Sequence, residues 1–158
     1  MTRVRNKNPY TLALHWLGYR DYSKAQMVDR LQRSGYEAES ARNTVERLAR
    51  EGWIDDTRLA YHVVEHCLES KNMGPALIRH QLVSKGLAPE IYEPVLQERV
   101  SGIDWLKIAE ALRERYDMNE PRERRRFGRY LIRRGFPVSL AWQLAGWEEN
   151  GADPEGDY

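Results

Sequence analysis

The 158-residue sequence predicts an all-α fold: three tandem three-helix, helix–turn–helix-like repeats in an elongated, curved array. Three observations predict it. A Leu-x-x-x-Gly-apolar segment recurs as Leu31…Gly35-Tyr36, Leu82…Gly86-Leu87 and Leu131…Gly135-Phe136, at intervals of roughly 50 residues. Apolar residues flank each glycine at helical spacing. Met27, Ile78 and Phe127 stand eight residues before it, Ala41, Tyr92 and Ala141 six after it, and Val45, Leu96 and Ala145 ten after it. Finally, no stretch shows the alternation of a half-buried strand. Glycine enters the left-handed region without a Cβ penalty, so it suits the end of a helix. Each unit therefore reads as helix, Gly turn, helix, with a further helix ahead of the pair.

Helix starts are marked in order along the chain. Asn8-Pro9 places a capping side chain before a proline at the first helical position, and Tyr10, Leu14 and Leu17 then form one stripe. Ser23 and Gln26 have the spacing of a capping box. Asp55 caps a long helix through about Ser70, with Ile54 and Leu59 placed as a hydrophobic staple. Gly74-Pro75 and Ala88-Pro89 open the next two. A helix is expected from about Ser101-Gly102, carrying Trp105, Ile108, Ala109 and Leu112, and Pro121 and Pro137 mark the last two starts. Two residues fit badly. Ser40 stands where Ile91 and Leu140 stand in the other units, and Pro94 falls inside its helix, so a kink or a late start is expected there. The domain reading is 1–52 for the first repeat with a short basic arm, 53–100 for the second, 101–147 for the third, and 148–158 for an acidic tail.

Basic and acidic side chains number 25 and 24, so the net charge excludes nothing, and distribution carries the information. The third repeat is rich in arginine, whereas 148–158 holds Glu148, Glu149, Asp153, Glu155 and Asp157 and no basic residue. A single cysteine, Cys67, rules out an internal disulfide and fits a reducing compartment. No apolar run has the length of a secretory core or a membrane span, so a cytoplasmic, membrane-free monomer is expected.

Most of the candidate chemistry has a simpler structural reading. The Asp55-Asp56 pair reads as a helix start, because a cap and a carboxylate at the positive end of the dipole account for both. His62-Val63-Val64-Glu65-His66 matches an inverted zinc-protease string, but nothing specifies a third ligand, and neither cofactor nor metal is expected. Trp53, Trp105 and Trp142 read as core, with Trp16 and Trp147 near the ends of the array. The arginines stand out. Arg122, Arg125, Arg126, Arg129 and Arg133 recur at i, i+3, i+4, i+7 and i+11 on one helix, with Arg134 at its end and Arg124 on another face. Such a stripe suits phosphates or an acidic protein surface, since guanidinium donates in a rigid fork and stays charged. The simpler reading is a solvated face partly neutralised by Glu120, Glu123 and the tail. Arg30, Arg33, Arg79 and Lys85 are smaller basic candidates in the first two repeats.

Three stretches carry a family resemblance: Gly52-Trp53-Ile54-Asp55-Asp56-Thr57-Arg58-Leu59-Ala60, Gly74…Ile78…Leu82-x-x-Lys85-Gly86-Leu87, and Tyr130-Leu131-Ile132-Arg133-Arg134-Gly135-Phe136. Ala13-Leu14…Arg20-Asp21-Tyr22-Ser23 adds to them. Together, over about residues 10–147, they resemble the RecX family of RecA regulators; Leu59 departs from the family's usual aromatic. The resemblance implies a non-enzymatic regulator of homologous recombination and the SOS response. Such a protein binds the RecA–DNA filament, restrains ATP hydrolysis and strand exchange, and blocks filament growth or promotes disassembly. DNA contact, single- or double-stranded, would be weak and electrostatic. The alternative from the residues alone is a stand-alone helix–turn–helix DNA-binding protein acting in transcription.

Overall fold

Side chains supplied at the helix starts set the architecture seen in the computed structural model, which describes residues 8–70 and 72–146. Among the described residues there are nine helices and no strands: α1 (Pro9–Leu17), α2 (Lys24–Arg33), α3 (Ala38–Arg50), α4 (Asp56–Glu69), α5 (Pro75–Ser84), α6 (Pro89–Val100), α7 (Trp105–Arg113), α8 (Pro121–Arg133) and α9 (Val138–Ala145). The basic arm, Trp147 and the acidic tail lie outside the described residues.

The expected caps form. Asn8 Oδ1 accepts the Tyr10 N–H at 3.0 Å, and Asp55 Oδ1 accepts the Arg58 N–H at 2.9 Å. Ser23 and Gln26 complete a reciprocal capping box at the start of α2. α7 begins later than expected, at Trp105, because the capping side chain is Asp104, whose Oδ1 accepts the Lys107 N–H at 3.0 Å. Nor does α6 start late. It runs from Pro89 to Val100 with Pro94 inside it. Pro94 and Glu90, the residue whose carbonyl loses its helical partner, both lie on the exposed face, so the missing N–H leaves no unpaired carbonyl in the core.

The glycine turns follow the repeat. Gly35, Gly86 and Gly135 all have positive φ, at 95°, 72° and 81°. At two of them the chain closes a Schellman motif. Tyr36 N–H bonds Leu31 O at 3.2 Å with Gly35 N–H on Gln32 O, and Phe136 N–H bonds Leu131 O at 3.1 Å with Gly135 N–H on Ile132 O. Every residue at the −8, −4, +6 and +10 positions is buried. Ser40, the misfit, sits on an exposed rim where Ile91 and Leu140 are only half-buried, so no core contact is lost. Trp53, expected in the core, is 53% exposed. Its N–H closes the turn after α3 by bonding Leu48 O, and the next residue, Ile54, is the one that turns inward.

The chain forms two compact units. One comprises Met1–Val64 and Gln81–Glu98, the other Glu65–His80 and Arg99–Tyr158, so α4, α5 and, by its last two residues, α6 contribute to both. In the first, Ala13, Met27, Leu31, Ala41, Val45, Leu48 and Ile54 make a core to which Tyr10, Leu14 and Trp16 add their flanks. In the second, Ala109, Leu112, Phe127, Leu131, Phe136, Ala141 and Leu144 do the same. Tyr116 tilts over Phe127 with ring centroids 5.0 Å apart, and Trp105 meets Phe136 edge-on.

Each unit contains the same junction between successive repeats. In the first, the buried Ser23 at the cap of α2 donates its hydroxyl to Lys85 O, beside the Gly86 turn. Asp56 Oδ1 accepts the Lys24 N–H at 2.9 Å, so the second acid of the Asp pair caps α2 rather than its own helix. In the second unit, Gly74 at the start of α5 packs on the Gly135 turn. Gly74 N–H bonds Arg134 O at 2.7 Å and Ala76 N–H bonds Gly135 O at 3.1 Å. A Cβ on Gly135 would lie 2.2 Å from Leu77 N, and one on Gly74 would lie 2.4 Å from the Gly135 carbonyl. The start of the middle helix in one repeat thus docks on the glycine turn of the next.

Candidate functional site

Helix α8 is amphipathic in a particular way. Phe127 and Leu131 are fully buried on one face, which fixes the rotation of the helix and turns its arginines outward. Arg122, Arg126, Arg129 and Arg133 then line one shallow groove of about 480 Å³, together with Ile132. At ~100° per residue these four arginines fall within an arc of about 60°. All four are exposed. Arg126 makes an i,i−3 pair with Glu123 at 3.4 Å while its side chain remains 69% exposed, and its guanidinium stands 5.8 Å from the Tyr116 ring. Four forked cations along one groove, spaced by helical turns, have the chemistry to donate to successive anionic groups.

The other predicted positions differ in place. Arg125 is half-buried and does not line the groove, lying at the edge of the stripe. Arg134 is held inward. Its Nε donates to Asn72 O at 2.7 Å and a terminal nitrogen donates to Asn72 Oδ1, so it clamps the α4–α5 connection onto the Gly135 turn. Arg79 is exposed on α5. Arg30, Arg33 and Lys85 belong to the other unit. Arg30 lies over the Trp16 ring at 4.4 Å and donates to the Tyr22 hydroxyl, and Arg33 pairs with Asp29 at 3.0 Å. The Lys85 carbonyl anchors Ser23. Sequence reasoning missed Ile132, the apolar wall of the groove, which is 38% exposed. An isoleucine out of phase with Phe127 and Leu131 was the available signal.

The zinc-like string meets the structure as an ordinary helix face. His62 and His66 are exposed, with His62 Nδ1 3.5 Å from Asp21, while Cys67 is buried. Among the described residues no three His, Cys, Asp or Glu side chains gather as a metal site. No described helix is long and apolar enough to cross a membrane. A second polar cluster, on the first unit, is Tyr10, Arg47 and Glu51. The Tyr10 hydroxyl donates to Glu51, whose other oxygen accepts from Arg47 at 2.8 Å, and the Arg47 guanidinium lies 4.1 Å over the Tyr10 ring. The tyrosine's hydrogen bond, followed by the arginine's, lowers the Glu51 pKa, and the same carboxylate raises that of Tyr10. This cluster ties α1 to α3.

The chain is similar to proteins of one family along most of its length. Residues 10–48 match the family description "RecX, first three-helix domain". The regulatory protein RecX of Trichlorobacter lovleyi is 35% identical over 141 residues, covering 85% of this chain and 92% of the relative. The chain belongs to the RecX family. A RecX of Xanthomonas campestris pv. campestris is 36% identical over 138 residues, covering 85% and 83% of the two chains. Among solved structures, RecX from Lactobacillus salivarius superposes with a TM-score of 0.73 at 21% identity, over 87% of this chain and 92% of that one. A second RecX crystal structure also gives 0.73, over 87% and 70%. The all-helical architecture of three-helix repeats is therefore that of RecX proteins, and the role is that of a regulatory protein.

Proposed function

We propose that this RecX protein regulates RecA by binding the RecA–DNA filament, and that α8 supplies its main electrostatic contact. The observation that carries this reading is the groove of Arg122, Arg126, Arg129 and Arg133. A nucleoprotein filament offers what such a groove recognises: anionic groups repeated along an extended body. Successive three-helix units contacting neighbouring subunits would add affinity by effective concentration, because each further contact is intramolecular. Holding subunits in one arrangement hinders the movements that hydrolysis and strand exchange require, so the effect on RecA is inhibitory. Growth is blocked or disassembly favoured, without catalysis by this chain. The protein then works as a monomer in the cytoplasm, where RecA filaments form, and its own contact with single- or double-stranded DNA is weak and salt-sensitive.

The test is single-stranded-DNA-dependent ATP hydrolysis by RecA, with this protein titrated in below RecA's concentration. Suppression by the wild type, and its loss in the folded double variant Arg126→Glu/Arg129→Glu, is the expected result. A wild-type protein that leaves hydrolysis unchanged on confirmed filaments refutes the reading.

A further inference from the structure

The third repeat holds two oppositely charged features in one stretch of chain. The groove on α8 concentrates Arg122, Arg126, Arg129 and Arg133, and α8 packs on α9, which ends in the left-handed Gly146. Immediately after it, 148–158 carries Glu148, Glu149, Asp153, Glu155 and Asp157 and no basic side chain. We infer that this acidic segment occupies the α8 groove in the same molecule and competes there with the polyanionic partner. The inference rests on the reading of the groove as a polyanion site.

Charge complementarity selects this occupant. Five carboxylates against four groove arginines give near-equal and opposite charge, and no charged side chain stands in the sequence between Arg134 at the end of α8 and Glu148. Reach permits it. Eleven residues extend up to ~36 Å, against ~20 Å for the length of α8. The groove's composition is also suitable: guanidinium forks pair carboxylates bidentately, and Ile132 offers an apolar wall to Ala152 or Pro154 between the acids. Tethering makes the contact intramolecular. A pairing too weak to matter between separate molecules is populated at an effective concentration in the millimolar range. A filament carries many phosphates and displaces the segment, whereas an isolated short strand does so poorly. The segment thereby acts as a selectivity filter against stray nucleic acid.

The experiment uses the full chain with the segment's charges removed: Glu148→Gln, Glu149→Gln, Asp153→Asn, Glu155→Gln and Asp157→Asn together. The Nε–Hε resonances of the arginines are followed by NMR, and binding of a labelled single-stranded oligonucleotide by fluorescence anisotropy. Neutralisation is expected to shift the resonances of Arg122, Arg126, Arg129 and Arg133 and leave that of Arg33 in place. It is also expected to tighten oligonucleotide binding about tenfold, the factor for a groove filled nine-tenths of the time. Unshifted groove resonances overturn the proposal whatever the binding result. Shifted resonances with unchanged affinity overturn the competition; the groove reading itself fails only if Arg126→Glu/Arg129→Glu also leaves oligonucleotide and filament binding unchanged.

Discussion

Gly135 and Gly52 have nearly the same φ, 81° and 79°, yet the structure predicts very different consequences for an added methyl group. Around Gly52 nothing lies within 4 Å, so Gly52→Ala meets only the left-handed backbone penalty, about 1–2 kcal/mol. At Gly135 the same penalty is joined by a collision with the Leu77 backbone at 2.2 Å, which forces the start of α5 off the turn. Gly135→Ala is expected to lose roughly 3–5 kcal/mol in urea unfolding, combining strain with overpacking. Equal losses at the two sites would show that the junction yields easily. Glu51 gives a second contrast, in pH. Its pKa is lowered by the Tyr10 hydroxyl and then by Arg47, so its stabilising contribution is present above the unfolded carboxylate value near ~4.3 and disappears as pH falls through the lower folded value. Thermal unfolding of Glu51→Gln should therefore start below wild type at neutral pH and converge with it in acid. A gap that persists at pH ~2–3 would mean the carboxylate's charge is not what matters.

At the scale of elements, the helices and their buried faces were legible because each is fixed by a local rule. Phe127 and Leu131, like Met27 and Leu31, are four apart before a glycine, and that spacing can only place them on one helical face. The caps at Asn8, Ser23 and Asp55 likewise depend on residues within three positions. Contacts that cross between repeats were not legible. Asp56 reaches Lys24 and Ser23 reaches Lys85 across 32 and 62 residues, and no periodicity in the sequence encodes such a pairing. The candidate site was half legible for the same reason. The stripe at Arg122, Arg126, Arg129 and Arg133 is a property of one helix, whereas the clamp of Arg134 on Asn72 and the half-burial of Arg125 depend on what packs alongside. A prediction separates these roles. Arg134→Gln should destabilise the second unit by about 1–3 kcal/mol, since the Asn72 carbonyl loses a charged partner, and reduce binding only through that loss. Arg129→Gln should weaken polyanion binding with stability unchanged within ~0.5 kcal/mol, as expected of an exposed surface change. Chemical denaturation and anisotropy on the same two variants decide it.

For the whole molecule, a net charge of +1 means that long-range attraction to a polyanion is close to nil, so any salt-dependent binding must come from local arrangement. The slope of log affinity against log salt counts the phosphates a protein neutralises, at about 0.7 per contact on single strands. If the four groove arginines make the contacts, the slope on a single-stranded oligonucleotide should be near −3 once the five carboxylates of 148–158 are neutralised and no longer compete, and adding Arg126→Gln/Arg129→Gln should roughly halve it. Removing Arg30, which is already committed to Trp16 and Tyr22, should leave the slope unchanged, even though Arg30→Gln alters the charge by the same amount per residue. Titrations at four or five salt concentrations supply the numbers. A slope that responds equally to both substitutions would mean that diffuse charge governs binding and that the ordered stripe on α8 has no special place in it. A slope that responds only to α8 would mean that arrangement outweighs amount of charge, because the first repeat, 1–52, carries ten basic against six acidic side chains, the same excess as the third.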